Sequence, residues 1–264
     1  MTAAVTNHRV RAKNLAPESD NKIHDDTVAR QYGFTGALVP GVEVFAYATR
    51  PFAAAWGEDF LSRGEIDIRF AKPVYDGDNV DVIVAAEPDG GHALTLTGPD
   101  GVVRASGHAR LTDRVGPADP SLFPRTDLPE TPPVADERSL APDTPLGTVV
   151  EPAAPEPHAV YRDGVGDDLA LYERFVHPGV LLRIVNAVLY RSVKMGPWIH
   201  TSSACRLLAP APVPSTLTGR GIVRDRYEKN GRSWVRFDAL VLADDVAVMA
   251  VDHLAIYDLG RPTA

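Results

Sequence analysis

Two long apolar stretches, one in each half of the chain, dominate its hydrophobic pattern. They cover residues 42–56 and 180–195, and both are hydrophobic around most of the circumference that a helix would present. A helix with this pattern is typically buried on most of its sides. Each half of the chain is therefore predicted to contain one long central helix.

Shorter segments that alternate between apolar and polar residues follow each apolar stretch. Turn signals such as Asp76-Gly77 separate them, as expected for antiparallel strands joined by hairpins. One long helix followed by such strands predicts an α+β unit in which a curved antiparallel sheet wraps the helix. The predicted strands are 65–70, 80–86, 93–97 and 102–111 in the first half, and 217–224, 233–242 and 246–257 in the second.

Local sequence similarity between the two halves indicates an internal duplication. Pro40-Gly41-Val42 reappears as Pro178-Gly179-Val180, 138 residues later, and the segment that begins at Arg69 resembles the one that begins at Arg206, 137 residues later. A nearly constant offset is the signature of two tandem copies of one unit. A longer hairpin near 227–231 is expected in the second copy.

A proline-rich stretch separates the two halves. Residues 114–158 contain 11 of the 23 prolines, which remove backbone donors and favour an extended chain. The predicted organisation is an N-terminal unit over 1–113, a linker over 114–158 and a C-terminal unit over 159–264. A short strand within the linker is expected at 148–150.

Composition and charge narrow the class of protein. With 264 residues and 44% hydrophobic content the chain can bury one large core or two ordinary ones. It has neither a segment that resembles a signal peptide at residues 1–10 nor an apolar run long enough for a membrane span, so a cytoplasmic protein without membrane contact is expected. The net charge is −8, and the scattered basic residues make nucleic acid an unexpected partner.

The sequence gives no sign of a cofactor or a metal. Cys205 is the only cysteine, which excludes an intrachain disulfide and a site built from several thiolates. Gly164-Val165-Gly166 lacks the third glycine of a dinucleotide-binding loop, and no Gly-x-Ser-x-Gly motif is present. No cofactor and no metal are therefore expected.

The candidate chemistry lies in the polar segment 19–26, Ser-Asp-Asn-Lys-Ile-His-Asp-Asp. It places the titratable imidazole of His24 ahead of Gly41, which begins the first central helix. The positive end of that helix dipole could meet a bound carbonyl. Asp26 is expected to cap a short helix, and Asn21 to hold the loop through its amide or to contact substrate.

This segment resembles the motif of the MaoC-type (R)-specific enoyl hydratases and dehydratases. That motif has the form Asp-x-Asn-Pro-x-His-x-Asp-x-x-x-Ala, followed by Gly-Phe and by a His-Gly or Pro-Gly at the central helix. The resemblance covers about residues 8–111 well and the second half through the duplicated helix and strands, so it implies a double hot-dog fold of two tandem units. The matching residues are Asn21, Ile23, His24, Asp26, Ala29, Gly33, Phe34 and Gly41, while Lys22 replaces the proline.

The resemblance also implies a reaction. In this family a carboxylate and an imidazole flank one water, which adds to or leaves the double bond of an acyl thioester carried by coenzyme A or a carrier protein. The family's aspartate would fall on Ser19, one residue before Asp20. We therefore expect His24 and Asp20 as catalytic groups, with Glu18 as another acid within reach.

Three further residues are expected to bind the substrate of such a site. The Gly41 N–H would polarise the thioester carbonyl, and Asn21 and Ser19 would contact the substrate. Arg69 and its repeat Arg206 are expected to be solvated, or to contact a phosphate of the coenzyme A or carrier-protein arm.

The second unit is expected to be degenerate. Aligning Asp167-Asp168 with Asp25-Asp26 puts Gly166 where His24 lies, and His177 falls at the position of Val39 instead. One active site per chain follows. His108 and His253 occupy apparently equivalent strand positions, so a shared packing role is expected for them.

Two other functions remain open at this stage. A hot-dog thioesterase would need a carboxylate base facing the carbonyl, and Glu43 is the candidate. A non-catalytic acyl binder or partner subunit of a hot-dog enzyme is the other. Because a double hot-dog already contains the pair of units that single hot-dogs form between chains, a monomer or a homodimer is expected.

Overall fold

The computed structural model describes residues 3–113 and 118–260 of the chain. Both predicted central helices are present, as Gly41–Trp56 and Pro178–Ser192. In the first of them, 11 of 16 residues are buried, in agreement with its apolar circumference. The helices are α1 Asp26–Gln31, α2 Gly41–Trp56, α3 Glu58–Arg63, α4 Pro155–Gly164 and α5 Pro178–Ser192.

Ten antiparallel strands form one continuous sheet in the order β1-β3-β4-β5-β2-β7-β10-β9-β8-β6. The order is symmetric about its centre, so β1, β2, β3, β4 and β5 of the first half correspond, in that order, to β6, β7, β8, β9 and β10 of the second. The strands are β1 His8–Arg11, β2 Gly64–Phe70, β3 Asn79–Ala86, β4 His92–Thr97, β5 Val103–Leu111, β6 Pro145–Ala153, β7 Ile199–Leu207, β8 Ser215–Lys229, β9 Arg232–Ala243 and β10 Val246–Asp258.

The two halves meet where β2 pairs with β7. Asp67 and Ala204, which are 137 residues apart in sequence, are paired with each other at this junction. The offset between Arg69 and Arg206 is the same, so the register at the junction agrees with the duplication. Helices α2 and α5 pack against each other and against the sheet, and apolar residues of both halves belong to one buried core.

The proline-rich segment is not linker throughout. The prediction made 114–158 a linker, but β6 pairs with β8 as β1 pairs with β3, and α4 begins at Pro155. Pro145 and Pro152 are tolerated because β6 is the edge strand of the sheet, where a missing donor leaves no partner unpaired. The second unit therefore includes strand β6. Residues 114–117 of the predicted linker lie outside the described residues.

The remaining part of the proline-rich segment crosses the sheet. Phe123 packs against Leu240, Leu242 and Ala250, and its carbonyl accepts a hydrogen bond from Arg220. This part of the connection is therefore fastened to the second half.

The expected equivalence of His108 and His253 is wrong. His108 pairs with Asp67 across β5 and β2, whereas the residue of β10 that pairs with Ala204 is Asp252. His253 lies one position farther along, and a shift of one residue turns a side chain to the opposite face of a strand. His108 is accordingly exposed and bonded to Glu87, and His253 is buried.

The hairpin between β8 and β9 is longer than its counterpart, as predicted. Its turn residues Asn230 and Gly231 both have positive φ, which is typical of a tight type I′ turn. The hairpin carries Tyr227, Lys229 and Trp234 towards the first half. No helix in the described part of the chain has the length and hydropathy needed to cross a membrane.

Candidate active site

His24 ends a short 3-10 turn and lies beside α2. Its Nδ1 is 2.7 Å from the carbonyl oxygen of Leu38. A carbonyl oxygen only accepts, so Nδ1 carries the proton of the neutral ring and Nε2 keeps its lone pair, which faces the amide nitrogen of Asn21 at 3.4 Å. Burial lowers the pKa of His24, and the Leu38 hydrogen bond opposes that shift. The ring is therefore neutral at pH 7, with Nε2 available as a proton acceptor.

Asn21 joins the loop of His24 to the second half of the chain. Its side-chain amide donates to the carbonyl of Trp198 at 3.0 Å and accepts from the Trp198 N–H at 3.1 Å. The same Nδ2 lies 3.4 Å from Nε2 of His24. The amide is thus engaged with the protein, and its observed contacts are those of a clamp between the two halves.

Ser19 and Asp20 lie apart from Gly41. The Ser19 hydroxyl accepts a hydrogen bond from the N–H of Asn21, so it supports the loop. Asp20 is exposed and lines a second cavity with Ser19, Asn21 and His24, whereas Gly41 lines a different one.

The expected cap of the short helix α1 is corrected by one residue. Asp25 accepts from the N–H of Val28 and is the N-cap, while Asp26 accepts from the N–H of Ala37. Because Asp25 caps the helix, the side chain of Asp26 can instead hold the loop between α1 and α2 through Ala37.

The first turn of α2 has no side-chain cap. The first hydrogen bonds of the helix are those that Glu43 and Val44 donate to the Pro40 carbonyl. The N–H groups of Gly41 and Val42 come before them in the chain and have no acceptor within the helix. The positive end of the helix dipole is therefore uncapped at Gly41. This is a suitable place for a developing negative charge.

His24, Asn21 and Gly41 line one cavity of about 530 Å³ between the two halves of the chain. The first half contributes the loop before α2 and the end of β2, and the second half contributes β7 and the β8–β9 hairpin. The size is within the range of small-molecule sites. Its lining includes Ile23, Phe34, Leu38, Val44, Phe70, Trp198, Ile199, His200, Tyr227, Trp234, Leu254 and Ile256.

Four cations also line this cavity. Arg69, Lys72, Lys229 and Arg232 are exposed, and none of them forms an ion pair among the described residues. No Asp or Glu among the described residues lines the same cavity. In a chain with a net charge of −8 this is a local reversal of sign, and it suits an anionic ligand.

The corresponding place in the second half is closed. At the start of α5 the ring of His177 accepts the Gly179 N–H through Nδ1 at 3.0 Å, and its Nε2 lies 3.2 Å from Asp167. A Cβ on Gly179 would lie 2.1 Å from the hydroxyl of Tyr161, which leaves no room for a ligand. His158 accepts the N–H of His177 at 2.9 Å. The groups that stay open at Gly41 are thus occupied at Gly179.

Glu43 is fully buried on α2 and paired with Arg183 of α5. Arg183 donates to Oε1 from Nε at 2.8 Å and from Nη2, and its guanidinium stacks on Tyr161. Burial raises the pKa of Glu43, while Arg183 lowers it. Both residues line the second cavity, where Asp20 is also found.

Sequence reasoning did not identify His200 on β7. It is buried, lines the cavity of His24 and Gly41, and lies so close to the start of α2 that a Cβ on Gly41 would be 2.9 Å from its Nδ1. It comes from the half of the chain without the motif, so the motif could not indicate it. In the sequence, His200 is marked only by Trp198 two residues before it, and this pattern alone does not indicate a site residue.

Comparison with solved structures finds the same fold at low identity. A conserved hypothetical protein from Mycobacterium tuberculosis with a double hotdog fold matches with a TM-score of 0.63 and 13% identity over 96% of each chain. A proposed MaoC domain dehydratase from Chloroflexus aurantiacus has a TM-score of 0.59 and 13% identity, covering 96% of this chain and 95% of that one. A proposed thioesterase from Novosphingobium aromaticivorans has a TM-score of 0.55 and 11% identity, covering 97% and 96%.

These similarities establish the architecture. The predicted α+β double hot-dog fold is confirmed, since nearly the whole chain superposes on structures of that kind. No family profile matches the sequence, and no curated protein matches it.

Proposed function

We propose that this chain is a MaoC-like enzyme that adds water to, or removes it from, an acyl thioester. The observation that carries the proposal is the pairing, in one cavity, of a neutral imidazole with an unprotonated Nε2, 3.4 Å from the Asn21 amide, and an uncapped helix N-terminus. Supporting it are the motif around His24 and a fold shared with a proposed MaoC domain dehydratase. The occupied start of α5 is consistent with one such site per chain.

In the hydration direction His24 would act as the base. Its Nε2 takes a proton from water as the water oxygen bonds to C3 of the enoyl group. The electrons of the double bond move towards the thioester carbonyl, whose oxygen gains charge beside the Gly41 N–H. Protonated His24 then returns the proton to C2, so that water has been added across the bond. Dehydration is the reverse.

Asp20 would assist as the second proton-handling group. It lines the second cavity together with His24. A water held between Asp20 and His24 would be flanked by a carboxylate and an imidazole, as the resemblance to the MaoC-type enzymes implies. Ser19 and Asn21 hold the loop on which both groups are placed.

The four cations of the cavity suit the phosphates of the thioester carrier. Arg69 lies near the end of β2 and Lys72 just after that strand, while Lys229 and Arg232 flank the turn of the β8–β9 hairpin, so the four line the cavity from both halves. Both coenzyme A and the phosphopantetheine arm of a carrier protein carry anionic phosphate groups. We propose an acyl group on one of these carriers as the substrate.

The first test is hydration of short and long trans-2-enoyl coenzyme A, followed by loss of the absorbance of the conjugated thioester. His24→Ala should lower kcat/KM by about 10²–10⁴-fold, since it removes the base. The matched control is His108→Ala, an exposed histidine bonded to Glu87, which should leave the rate unchanged. Equal rates for wild type and His24→Ala would contradict the proposal.

A thioesterase is the second candidate, because one structural neighbour is a proposed thioesterase and a buried carboxylate, Glu43, lines the adjoining cavity. The ion pair with Arg183 occupies Oε1 and leaves Oε2 without a partner. Release of free thiol from saturated acyl coenzyme A, abolished in Glu43→Gln, would support this function over hydration. If neither activity occurs, a non-catalytic acyl binder or partner subunit becomes the better proposal.

A further inference from the structure

His200, Ser203 and His253 form a buried polar relay beside the candidate site. The Ser203 hydroxyl lies 2.8 Å from Nε2 of His200 and 2.9 Å from Nδ1 of His253. The three residues are 6%, 2% and 0% exposed. Two ring nitrogens of the relay, Nδ1 of His200 and Nε2 of His253, have no hydrogen-bond partner among the described residues. An unpartnered buried nitrogen is costly and calls for an explanation.

The ring of His200 is held firmly in place. It stacks on His253 at 4.1 Å between centroids, and it meets Phe70 of the first half edge-on at 4.8 Å. Burial, followed by the neighbouring His253, lowers the pKa of His200 well below its usual value, and a hydrogen bond with the Ser202 backbone opposes that shift. The imidazole is therefore neutral, and its orientation is fixed from three sides.

Nδ1 of this ring points to the start of α2. A Cβ built on Gly41 would lie 2.9 Å from it, closer than a side chain can approach, so glycine is required there. His200 and Gly41 line the same cavity. The start of α2 and Nδ1 of His200 are therefore close neighbours at the wall of this cavity.

The relay can hold His200 in the donating tautomer. A serine hydroxyl has one hydrogen, so Ser203 donates to one of its two imidazole neighbours and accepts from the other. If Ser203 donates to Nε2 of His200, the proton of the neutral ring is on Nδ1, and His253 donates to Ser203. A carbonyl oxygen can only accept, so its binding at Nδ1 selects this direction.

We propose that His200 is a catalytic residue whose Nδ1–H donates to the thioester carbonyl together with the Gly41 N–H, and that Ser203 and His253 are positioning residues that set its tautomer. This inference rests on the proposed function and adds to it an electrophile from the second half of the chain. A neutral imidazole of lowered pKa suits that role, because it stabilises enolate charge without giving up its proton. His24 accepts a proton and His200 donates a hydrogen bond, so the two imidazoles have opposite tasks.

The test measures polarisation of a bound chromophore, independently of turnover. Hexadienoyl coenzyme A and hexadienoyl pantetheine absorb in the near ultraviolet, and a stronger hydrogen bond to the carbonyl shifts that absorbance to longer wavelength. The probes share the thioester arm and differ in the nucleotide. Wild type should bind at least one of them with a red shift.

Three variants distinguish the effect of the hydrogen-bond donor from that of the ring's volume. His200→Phe keeps the ring volume, and it should lose most of the shift and lower kcat for enoyl hydration by about 10²–10³-fold. His200→Asn keeps an N–H near the place that Nδ1 occupies in wild type, and it should retain part of the red shift and part of kcat. Ser203→Ala should reduce the shift while KM changes little. His108→Phe, on the exposed face of β5, is the control and should resemble wild type.

The outcomes distinguish this inference from the function it rests on. If wild type hydrates the enoyl thioester and both His200→Phe and Ser203→Ala keep the full shift and kcat, the role of His200 is overturned and the proposed function stands. If wild type neither binds the probes nor hydrates enoyl thioesters, both are overturned. Should His200→Phe fail to fold, the comparison of Ser203→Ala with wild type decides.

Discussion

The tautomer of His24 is fixed by a single backbone carbonyl. Leu38 accepts from Nδ1 at 2.7 Å, so the chemistry of Nε2 depends on a loop residue that has no reactive group of its own. The motif gave His24 by its spacing, but no sequence pattern states which ring nitrogen faces a cavity. That information comes from the path of the chain between α1 and α2.

The lowered pKa of His24 predicts the pH dependence of hydration. A base acts in its unprotonated form, and burial lowers the pKa of His24 below its ordinary 6.5, so the acid limb of kcat/KM should be centred below pH 6.5. A pH series with enoyl coenzyme A tests this, and an acid limb centred above 6.5 would contradict it.

The two central helices are fastened to each other by a buried ion pair. Arg183 of α5 reaches Glu43 of α2, whose side chain is 0% exposed, across the interface between the halves. Removing one partner of a buried pair leaves an unpaired charge in the interior, and this costs more than removing both. The pair therefore makes the relative position of the helices depend on both members.

A double-mutant cycle measures this fastening. Arg183→Met should lower the free energy of unfolding by about 3–5 kcal/mol, because Glu43 is left buried without its cationic partner, whereas adding Glu43→Met should restore part of that loss. Arg191→Met on the same helix, which breaks an exposed pair with Glu151, is the control and should cost about 0–1 kcal/mol. Urea unfolding at pH 7.5 gives the values. Equal losses for Arg183→Met and Arg191→Met would contradict the role of the pair.

The elements with regular periodicity were predictable, and those with mixed surroundings were not. Helix α2 and strand β2 follow their patterns, but β7 carries the buried polar residues His200 and Ser203, which obscure its alternation. Strand β6 was largely hidden by its prolines, which only an edge position allows. The motif indicated His24 and Gly41 as candidates. It could not indicate the residues that the second half adds to the cavity, such as His200, because these depend on the pairing of β2 with β7.

Acid sensitivity is a property of the whole molecule, because buried histidines are distributed over both halves. Burial is the main cause in each of five histidines with a lowered pKa, and it brings His158 to about 4 and His253 to about 3. Below pH 6.5 the unfolded chain binds protons that the folded chain does not, so stability should fall as the pH falls. The others are His8, His24 and His200.

The size of that effect can be measured. Each such histidine contributes at most about 1.4 kcal/mol per pH unit, and the unfolded chain is only partly protonated near pH 6, so His158 and His253 together should lower the free energy of unfolding by about 2 kcal/mol between pH 6 and 5. His158→Gln keeps an acceptor for the His177 N–H. It should reduce the dependence of the free energy of unfolding on pH by the amount that corresponds to about one proton. His108→Gln is the control, since Glu87 raises the pKa of His108 and its slope has the opposite sign. Urea unfolding that is independent of pH between 7.5 and 5.5 would exclude the effect.

The different starts of α2 and α5 have a consequence for how such a protein can change over generations. In a dimer of identical single units, any substitution appears at both helix starts at once, so closing one site closes the other. Covalent fusion removes that constraint, because each copy is encoded separately. Here one copy has kept its helix start open beside Gly41, and the other has filled it with His177 and Tyr161. The fused copies are free to specialise, one towards chemistry and the other towards structural support.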